Sequence, residues 1–353
     1  MKSSNEKKRV LIIQSVIPHY RVPVFNELSK YVDLTLMYDS GSVPENVNFS
    51  TKKVEIKKSR LKVHKINILK YVKQFDVVIM TMNYSFLTTW LLSFLPIKTR
   101  VILWGIGVSA DYKTRYDEKQ KVAMRLLHFI KHTDATIFYA EYPVEKYAKL
   151  GIPKEKMFVA NNTVEVLDID EEERNSLVFV GTLYKQKKIF ELLNSYHNAY
   201  LKNPSIPDLV IVGDGAEFQA IESWILEKGL EQKITMTGAI FDEEKLSKYF
   251  AKALMCISPD QAGLSVLKSF GYGVPFITHK DAITGGERLN IINGENGVLF
   301  ESFSEIETLI LDCADDKKKY IEMGANAKRF YEENRTIADM VKGFTDAIEY
   351  VAR

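Results

Sequence analysis

Runs of consecutive apolar residues alternate with amphipathic stretches along the first half of the chain. A continuous apolar run is typical of a strand buried on both faces of a parallel sheet. Such runs lie at 9–16, 33–38, 76–81, 99–104, 135–140 and 157–160. Helical periodicity lies between them, most clearly at 23–30, 85–95 and 115–132. This alternation predicts a doubly wound α/β domain.

The same alternation begins again after an acidic, polar segment at 167–176, which we interpret as a linker. Predicted strands follow at 177–181, 208–215, 233–238, 253–258 and 275–278. Predicted helices lie at 187–202, 216–229, 243–252, 263–272, 304–313, 316–333 and 336–352. The sequence therefore predicts an N-terminal domain at 1–166 and a C-terminal domain at 167–335. We expect the last helix, at 336–353, to pack back on the first domain.

Composition narrows the cellular setting. The chain has 353 residues, of which 46% are hydrophobic and 27% are charged, as in globular proteins. Its 2 cysteines match no metal-ligand spacing and no disulfide framework, which predicts a cytoplasmic protein. The first residues lack the apolar core of a signal peptide, and the apolar stretch from Phe86 to Ile97 is too short to span a membrane.

The net charge of +2 conceals two oppositely charged halves. Residues 1–165 hold 27 Lys and Arg against 15 Asp and Glu, or +12, so the totals of 48 and 46 leave 21 against 31, or −10, for residues 166–353. One basic cluster comprises Lys52, Lys53, Lys57, Lys58, Arg60, Lys62 and Lys65. We expect it to bind anionic lipid at the inner face of the cell membrane rather than nucleic acid. A merely solvated basic face is the alternative.

Glycine turns follow several predicted strands. They comprise Gly105 and Gly107, Gly181, Gly213 and Gly215, and Gly263 at a helix start. Ligands of open α/β sheets bind outside the carboxyl ends of strands, where backbone N–H groups face anions. Although a single glycine after a strand often reflects turn geometry alone, their joint placement predicts ligand-binding edges in both domains.

The second domain resembles the GT-B glycosyltransferases of family 4. The resemblance rests on LVFVGTLYKQKKIFELL (177–193), DLVIVGDGAE (208–217), SPDQAGLSVLKSFGYGVPFIT (258–278) and NGENGVLF (293–300). In the first domain IPHYRVPVFNELSK (17–30), VILWG (101–105) and VANNTVEV (159–166) are similar to bacterial surface-polysaccharide members. The resemblance implies two Rossmann-like domains that face each other across a cleft.

The resemblance also implies where the donor diphosphate binds. After Gly181 the family has an arginine and then a lysine; here Thr182 takes the first position and Lys187 the second, with Lys185 or Lys188 as further cations. Because the sequence offers no metal-binding cluster, we expect lysines to neutralise the diphosphate without a cofactor. The backbone of Gly263, Leu264 and Ser265 is expected to contribute N–H groups.

Two family glutamates are replaced in this chain. Asp260 stands where the first glutamate lies near the transferred sugar, and Lys268 stands where the second binds the nucleotide ribose. A lysine can donate to a ribose hydroxyl but cannot accept from it. Gly213 and Gly215 complete the predicted nucleotide site, and Glu287 is a further candidate beside the sugar.

In the first domain the resemblance implies an acceptor site. Many members carry a histidine in the loop between Gly105 and Gly107, where this chain has Ile106. His19 is the nearest substitute as a catalytic group, and Tyr20 and Arg21 are candidate acceptor contacts. The glycines of the loop are predicted to contact the acceptor as well.

The resemblance implies a retaining hexosyl or related transferase of surface-polysaccharide biosynthesis, such as capsule or O-antigen synthesis. The implied donor is a UDP- or GDP-sugar, and the implied acceptor is a glycan or a polyprenyl-diphosphate-linked glycan. Two alternatives stay open. A sugar-nucleotide 2-epimerase shares the architecture, and a sugar-nucleotide-binding homologue without activity would explain Thr182, Ile106 and Lys268. A dinucleotide oxidoreductase is disfavoured, since no G-x-G-x-x-G follows the first strand.

Overall fold

The computed structural model describes residues 7–57, 59–110, 115–170 and 172–353. The chain forms two compact units. The first unit comprises residues 1–109, 117–164 and 336–353, and the second comprises residues 110–116 and 165–335. Lys58 of the basic cluster and Glu171 of the predicted linker lie outside the described residues.

The first unit is a parallel sheet with helices. Its elements are β1 (Arg9–Ile13), α1 (Val22–Leu28), β2 (Asp33–Tyr38), β3 (Ser50–Lys53), β4 (Ile56–Lys57), β5 (Val63–His64), α2 (Ile68–Tyr71), β6 (Val77–Thr81), α3 (Leu87–Phe94), β7 (Arg100–Gly105), α4 (Gln120–His132), β8 (Ala135–Phe138), α5 (Glu141–Lys149) and β9 (Met157–Val159). The strand order is β3-β2-β1-β6-β7-β8-β9, with every pairing in this sheet parallel. From β1 the strands are added on one side through β2 and β3, and from β6 onward they are added on the other side of β1. Doubly wound folds bind ligands at such a switch point, which here lies between β1 and β6.

The second unit repeats this architecture. Its elements are β10 (Ser176–Val180), α6 (Ile189–Lys202), β11 (Asp208–Val212), α7 (Phe218–Lys228), β12 (Ile234–Gly238), α8 (Glu243–Ala251), β13 (Ala253–Ile257), β14 (Gln261–Ala262), α9 (Ser265–Gly271), β15 (Phe276–His279), β16 (Ile283–Thr284), β17 (Gly297–Phe300), α10 (Glu305–Asp315) and α11 (Lys317–Asn334). The main sheet has the order β12-β11-β10-β13-β15-β17. Strands β10 and β13 flank its switch point.

The last helix, α12 (Ile337–Val351), belongs to the first unit. Met340, Phe344 and Ile348 are buried in one core with Phe25 of α1. Gly343 allows the helix to approach β9, since a Cβ there would lie 2.2 Å from the carbonyl oxygen of Val159. Thr336 and Asp339 form a capping box at its start, which satisfies otherwise unpaired N–H groups.

The apolar runs were reliable guides to the main strands and helices, which the structure confirms to within a few residues. The pattern did not predict α2 or the strands β3, β4, β5, β14, β16 and β17. The strands β4, β5, β14 and β16 have only two residues each and are partly exposed, and all four residues of β3 are exposed. No apolar run therefore marks these five strands.

Candidate functional site

Two glycine turns of the second unit are fixed against each other by backbone contacts. The N–H of Gly181 donates to the carbonyl of Val212 (3.0 Å), and the N–H of Leu183 donates to that of Asp214 (2.8 Å). A Cβ at Gly213 would lie 2.0 Å from the carbonyl oxygen of Gly181, so no other residue fits there. The turns after β10 and β11 therefore form one rigid backbone surface.

Gly215 is required for the same reason. Its φ is +152°, and a Cβ there would lie 2.4 Å from the carbonyl oxygen of Leu183. The paired turns border a cavity of about 500 Å³. The cavity is lined by Val180, Gly181, Thr182, Val212, Gly213, Asp214, Gly215, Ala239, Ile240 and Phe241. Three predicted donor and nucleotide glycines and Thr182 thus lie on one cavity.

Lys187 brings a buried positive charge to this turn. Its side chain is only 6% exposed, and its Nζ lies 2.9 Å from the position that a Cβ at Gly181 would occupy. No carboxylate pairs with it in the described part of the chain, and the nearest ring, that of Phe179, is 5.9 Å away. Burial lowers the pKa of Lys187 to about 8. The site therefore presents an ammonium group that lacks an anionic partner.

The other predicted diphosphate side chains of this turn are exposed, unlike that of Lys187. They belong to Thr182, Lys185 and Lys188. Lys188, at the start of α6, adopts a left-handed conformation with φ of +56°, which is uncommon for a residue with a side chain.

Three loops of the second unit meet at the carboxyl ends of β10, β13 and β15. The hydroxyl of Tyr184 donates to Oε1 of Gln261, which joins the 181–188 turn to the loop after β13. Strand β14 pairs with β16, and the N–H of Ile283 donates to the carbonyl of Asp260 (3.0 Å). The structure thus brings the predicted diphosphate turn and the two predicted sugar-side loops to one edge.

Asp260 is half-buried at this edge. Burial raises the pKa of its carboxyl group, while the nearby His279 and Lys188 act in the opposite direction. A carboxylate in this position suits the binding of sugar hydroxyls. Its catalytic role stays a prediction.

Glu287 is more deeply placed than the sequence suggests, with 5% exposure. Its Oε2 accepts hydrogen bonds from the N–H of Gly285 (3.0 Å) and the hydroxyl of Thr284 (3.3 Å). These contacts shape the loop after β16. A role in sugar binding stays a prediction.

The predicted amide site at 263–265 lies at the start of α9. No heavy atom lies within 4 Å of the position that a Cβ at Gly263 would take, so the backbone there borders open space. Leu264 is the N-cap of α9 and Ser265 is its first residue.

Lys268, the predicted ribose residue, forms an ion pair that sequence reasoning missed. Its Nζ lies 2.7 Å from Oε2 of Glu243 on α8 and also donates to the carbonyl of Glu165. Burial lowers the pKa of Lys268, while Glu243 acts against that shift. No sequence spacing pointed to this pair, since the two residues lie on different helices.

The predicted acceptor residues of the first unit lie just after β1. His19 is exposed and Tyr20 is 37% exposed. Arg21 is instead only 4% exposed. Its guanidinium donates to Asn162 and to the sulfur of Met340, so it ties this loop to α12. The catalytic role of His19 and the acceptor contacts of Tyr20 and Arg21 stay predictions.

Gly105 ends β7, and Gly107 lies in the crowded loop that follows. A Cβ at Gly107, whose φ is +78°, would lie 2.6 Å from the ring of Phe138. The hydroxyl of Tyr147 donates to the carbonyl of Gly107 (2.7 Å). Packing thus accounts for Gly107, and its predicted acceptor contact remains a prediction.

A buried polar cluster at the switch point of the first sheet was not predicted. Nδ1 of His64 shares a hydrogen bond with the hydroxyl of Thr88 (2.7 Å). Its Nε2 lies 3.9 Å from Oδ2 of Asp39. With Gln14 these residues line a cavity of about 20 Å³, which is large enough for a water molecule. Burial lowers the pKa of His64, opposed by Asp39. Gln14 and Asp39 directly follow strands β1 and β2, and polar residues at strand ends could have been recognised as candidate site residues in the sequence. No such pattern marks His64.

The described residues contain no group of three or more His, Cys, Asp or Glu side chains that could hold a metal ion. None of their helices is long and apolar enough to cross a membrane.

The second unit matches a known family. Residues 165–330 match the model of the glycosyl transferases group 1. The chain is also 25% identical over 247 residues to an uncharacterized glycosyltransferase of Methanocaldococcus jannaschii. That match covers 68% of this chain and 58% of the archaeal protein. Together these likenesses support a glycosyltransferase.

Solved structures extend the likeness to the fold of the whole chain. HepE of Anabaena, solved in complex with UDP, superposes with a TM-score of 0.76 at 13% identity, over 97% of this chain and 99% of that one. A glycosyltransferase from Rickettsia africae gives a TM-score of 0.75 at 11% identity, over 99% and 100% of the two chains. The predicted GT-B fold is confirmed.

Proposed function

We propose that this protein is a retaining glycosyltransferase that takes a sugar from a nucleoside-diphosphate sugar held by the second unit. The acceptor is a glycan or a polyprenyl-diphosphate-linked glycan, in the synthesis of a surface polysaccharide or glycoconjugate. The family match at residues 165–330 supports the transferase class. HepE structures with UDP and with UDP-glucose support a nucleotide sugar as donor.

One observation carries the proposal: a buried, unpaired ammonium beside a rigid glycine turn that borders an open cavity. Gly181 and Gly213 line the cavity, so a ligand bound there would contact the backbone of this turn. The ammonium of Lys187 lies directly at that turn. A diphosphate is the ligand that would satisfy both features, because it supplies negative charge and accepts several hydrogen bonds.

In the proposed reaction the bond between the anomeric carbon and the diphosphate oxygen breaks, and the diphosphate leaves with the electron pair. The acceptor hydroxyl forms the new bond on the same face, and its proton passes to the departing diphosphate. Lys187 stabilises the charge that develops on the leaving group. Asp260 orients hydroxyls of the transferred sugar.

The acceptor is proposed to bind the first unit, at the carboxyl ends of its strands. The exposed His19 and Tyr20 follow β1, and Gln14 and Asp39 of the buried polar cluster directly follow β1 and β2. Hydroxyl-bearing ligands suit such polar groups, since each group can donate to or accept from a sugar hydroxyl.

Turnover tests the activity directly. The protein is incubated with UDP- and GDP-sugars, with and without a lipid-linked glycan extract, and the products are separated by mass spectrometry. We expect release of the nucleoside diphosphate together with a glycosylated product that keeps the anomeric configuration of the donor. An epimerised sugar nucleotide formed without acceptor would instead show the epimerase, and binding without turnover would show an inactive homologue.

A further inference from the structure

The ion pair between Lys268 and Glu243 supplies a carboxylate close to the nucleotide cavity. Glu243 is the first residue of α8. It comes two residues after Phe241, and Phe241 lines the 500 Å³ cavity together with Ala239 and Ile240. The short connection at Asp242 therefore keeps the Glu243 backbone near the cavity.

The carboxylate of Glu243 is held in one orientation. Oε2 pairs with Nζ of Lys268 (2.7 Å), and Oε1 accepts from the hydroxyl of Tyr272 (2.5 Å). Tyr272 is itself fixed by the N–H of Leu167, which donates to its oxygen (3.1 Å). The start of α8 also favours a negative charge at this position. The arrangement fixes the orientation of the carboxylate between two donors.

Lys268 and Tyr272 leave part of the Glu243 carboxylate exposed to solvent. The side chain of Glu243 is 26% exposed, against 14% for Lys268. A carboxylate can accept about four hydrogen bonds, and two partners use only part of that capacity. An ammonium has no acceptor capacity, so a vicinal diol that needs acceptors would turn to Glu243 and not to Lys268.

We propose that Glu243 accepts hydrogen bonds from the ribose hydroxyls of the bound nucleotide, with Lys268 and Tyr272 as its positioning residues. This inference rests on the proposed function, because it needs a nucleotide in the cavity of the second unit. It moves the ribose contact from Lys268 to a residue of α8. A carboxylate that binds a ribose diol beside a parallel sheet is a general solution in α/β folds.

The test compares UDP with 2′,3′-dideoxyuridine diphosphate by calorimetric titration of wild type and Glu243→Gln. We expect the wild type to prefer UDP, and Glu243→Gln to lose about tenfold or more in affinity for UDP while its affinity for the dideoxy ligand is unchanged. Glu244→Gln, the exposed neighbour on α8, serves as the matched control and should bind both ligands as the wild type does.

The outcomes separate this inference from the proposed function. An unchanged affinity of Glu243→Gln for UDP, or an equal loss for both ligands, would overturn the ribose contact and leave only an ion pair that ties α8 to α9. A wild type that binds neither UDP nor GDP would overturn the proposed function and this inference with it. If Glu243→Gln does not fold, Glu243→Asp keeps the charge but withdraws the carboxylate, and its preference for UDP should fall; an undiminished preference would overturn the ribose contact.

Discussion

Lys187 has a positive charge at a position where the described residues offer it no counter-ion. A buried ammonium without a partner destabilises the free protein, because it has lost its water. Such a cost is tolerated at binding sites, where a ligand supplies the missing charge. Lys187 is therefore expected to trade stability for binding.

The trade-off predicts that Lys187→Met is more stable than the wild type when no ligand is present. A pKa of about 8 instead of 10.5 corresponds to a destabilisation of the folded state by roughly 3 kcal/mol at pH 7. Between pH 8 and 10.5 the folded lysine is already neutral while the unfolded one still binds its proton, so the wild type gains stability as the pH rises. Urea denaturation at pH 7 and pH 9.5 measures both effects.

Lys202→Met, at the other end of α6, is the control, since this lysine is exposed and pairs with Glu307. It should change the free energy of unfolding little at either pH. A Lys187→Met protein that is no more stable than the wild type at pH 7, or whose advantage is as large at pH 9.5, would show that the burial of a charged Lys187 does not destabilise the free protein.

Among the structural elements, the apolar runs and glycines predicted most of the strands and turns that carry the site residues. A strand buried on both faces must be apolar throughout, so β10, β11 and β13 were visible in the sequence. Gly213 and Gly215 were predicted as turn residues. The structure adds the reason, which is contact with the backbone of Gly181 and Leu183.

The side-chain arrangement of the site was less predictable, because it depends on how elements pack. The lysine at 187 was expected to face the diphosphate, but its burial follows from the fold of the whole turn. Glu243 and Lys268 meet only because α8 and α9 lie side by side, and the cluster of Asp39 and His64 joins separate loops. Contacts of this kind leave no local pattern in a sequence.

For the whole molecule, the charge difference between its halves remains the main evidence for a membrane partner. The basic cluster lies in the first unit, and Lys52 and Lys53 are exposed on β3 at the edge of the sheet. Lysines on an edge strand also discourage pairing with other chains. Anionic lipid binding is therefore a proposal that a direct measurement has to decide.

Reversal of three exposed lysines, Lys52, Lys53 and Lys57, to glutamate should abolish flotation with liposomes that contain phosphatidylglycerol. The expected loss follows from about 1 kcal/mol of attraction per basic residue near an anionic surface. Reversal of Lys248, Lys317 and Lys318 in the second unit is the matched control and should leave flotation unchanged. Equal flotation of both variants, or none of the wild type, would remove the membrane proposal.

Calorimetric titration with UDP at pH 7 measures whether the second unit binds a nucleoside diphosphate through Lys187. We expect the wild type to bind UDP and Lys187→Met to lose about 1.5–3 kcal/mol of binding free energy, as is typical of a charge-assisted contact. Lys202→Met should bind as the wild type does. An affinity of Lys187→Met within about twofold of the wild type, a loss of less than about 0.5 kcal/mol, would show that Lys187 does not bind the diphosphate.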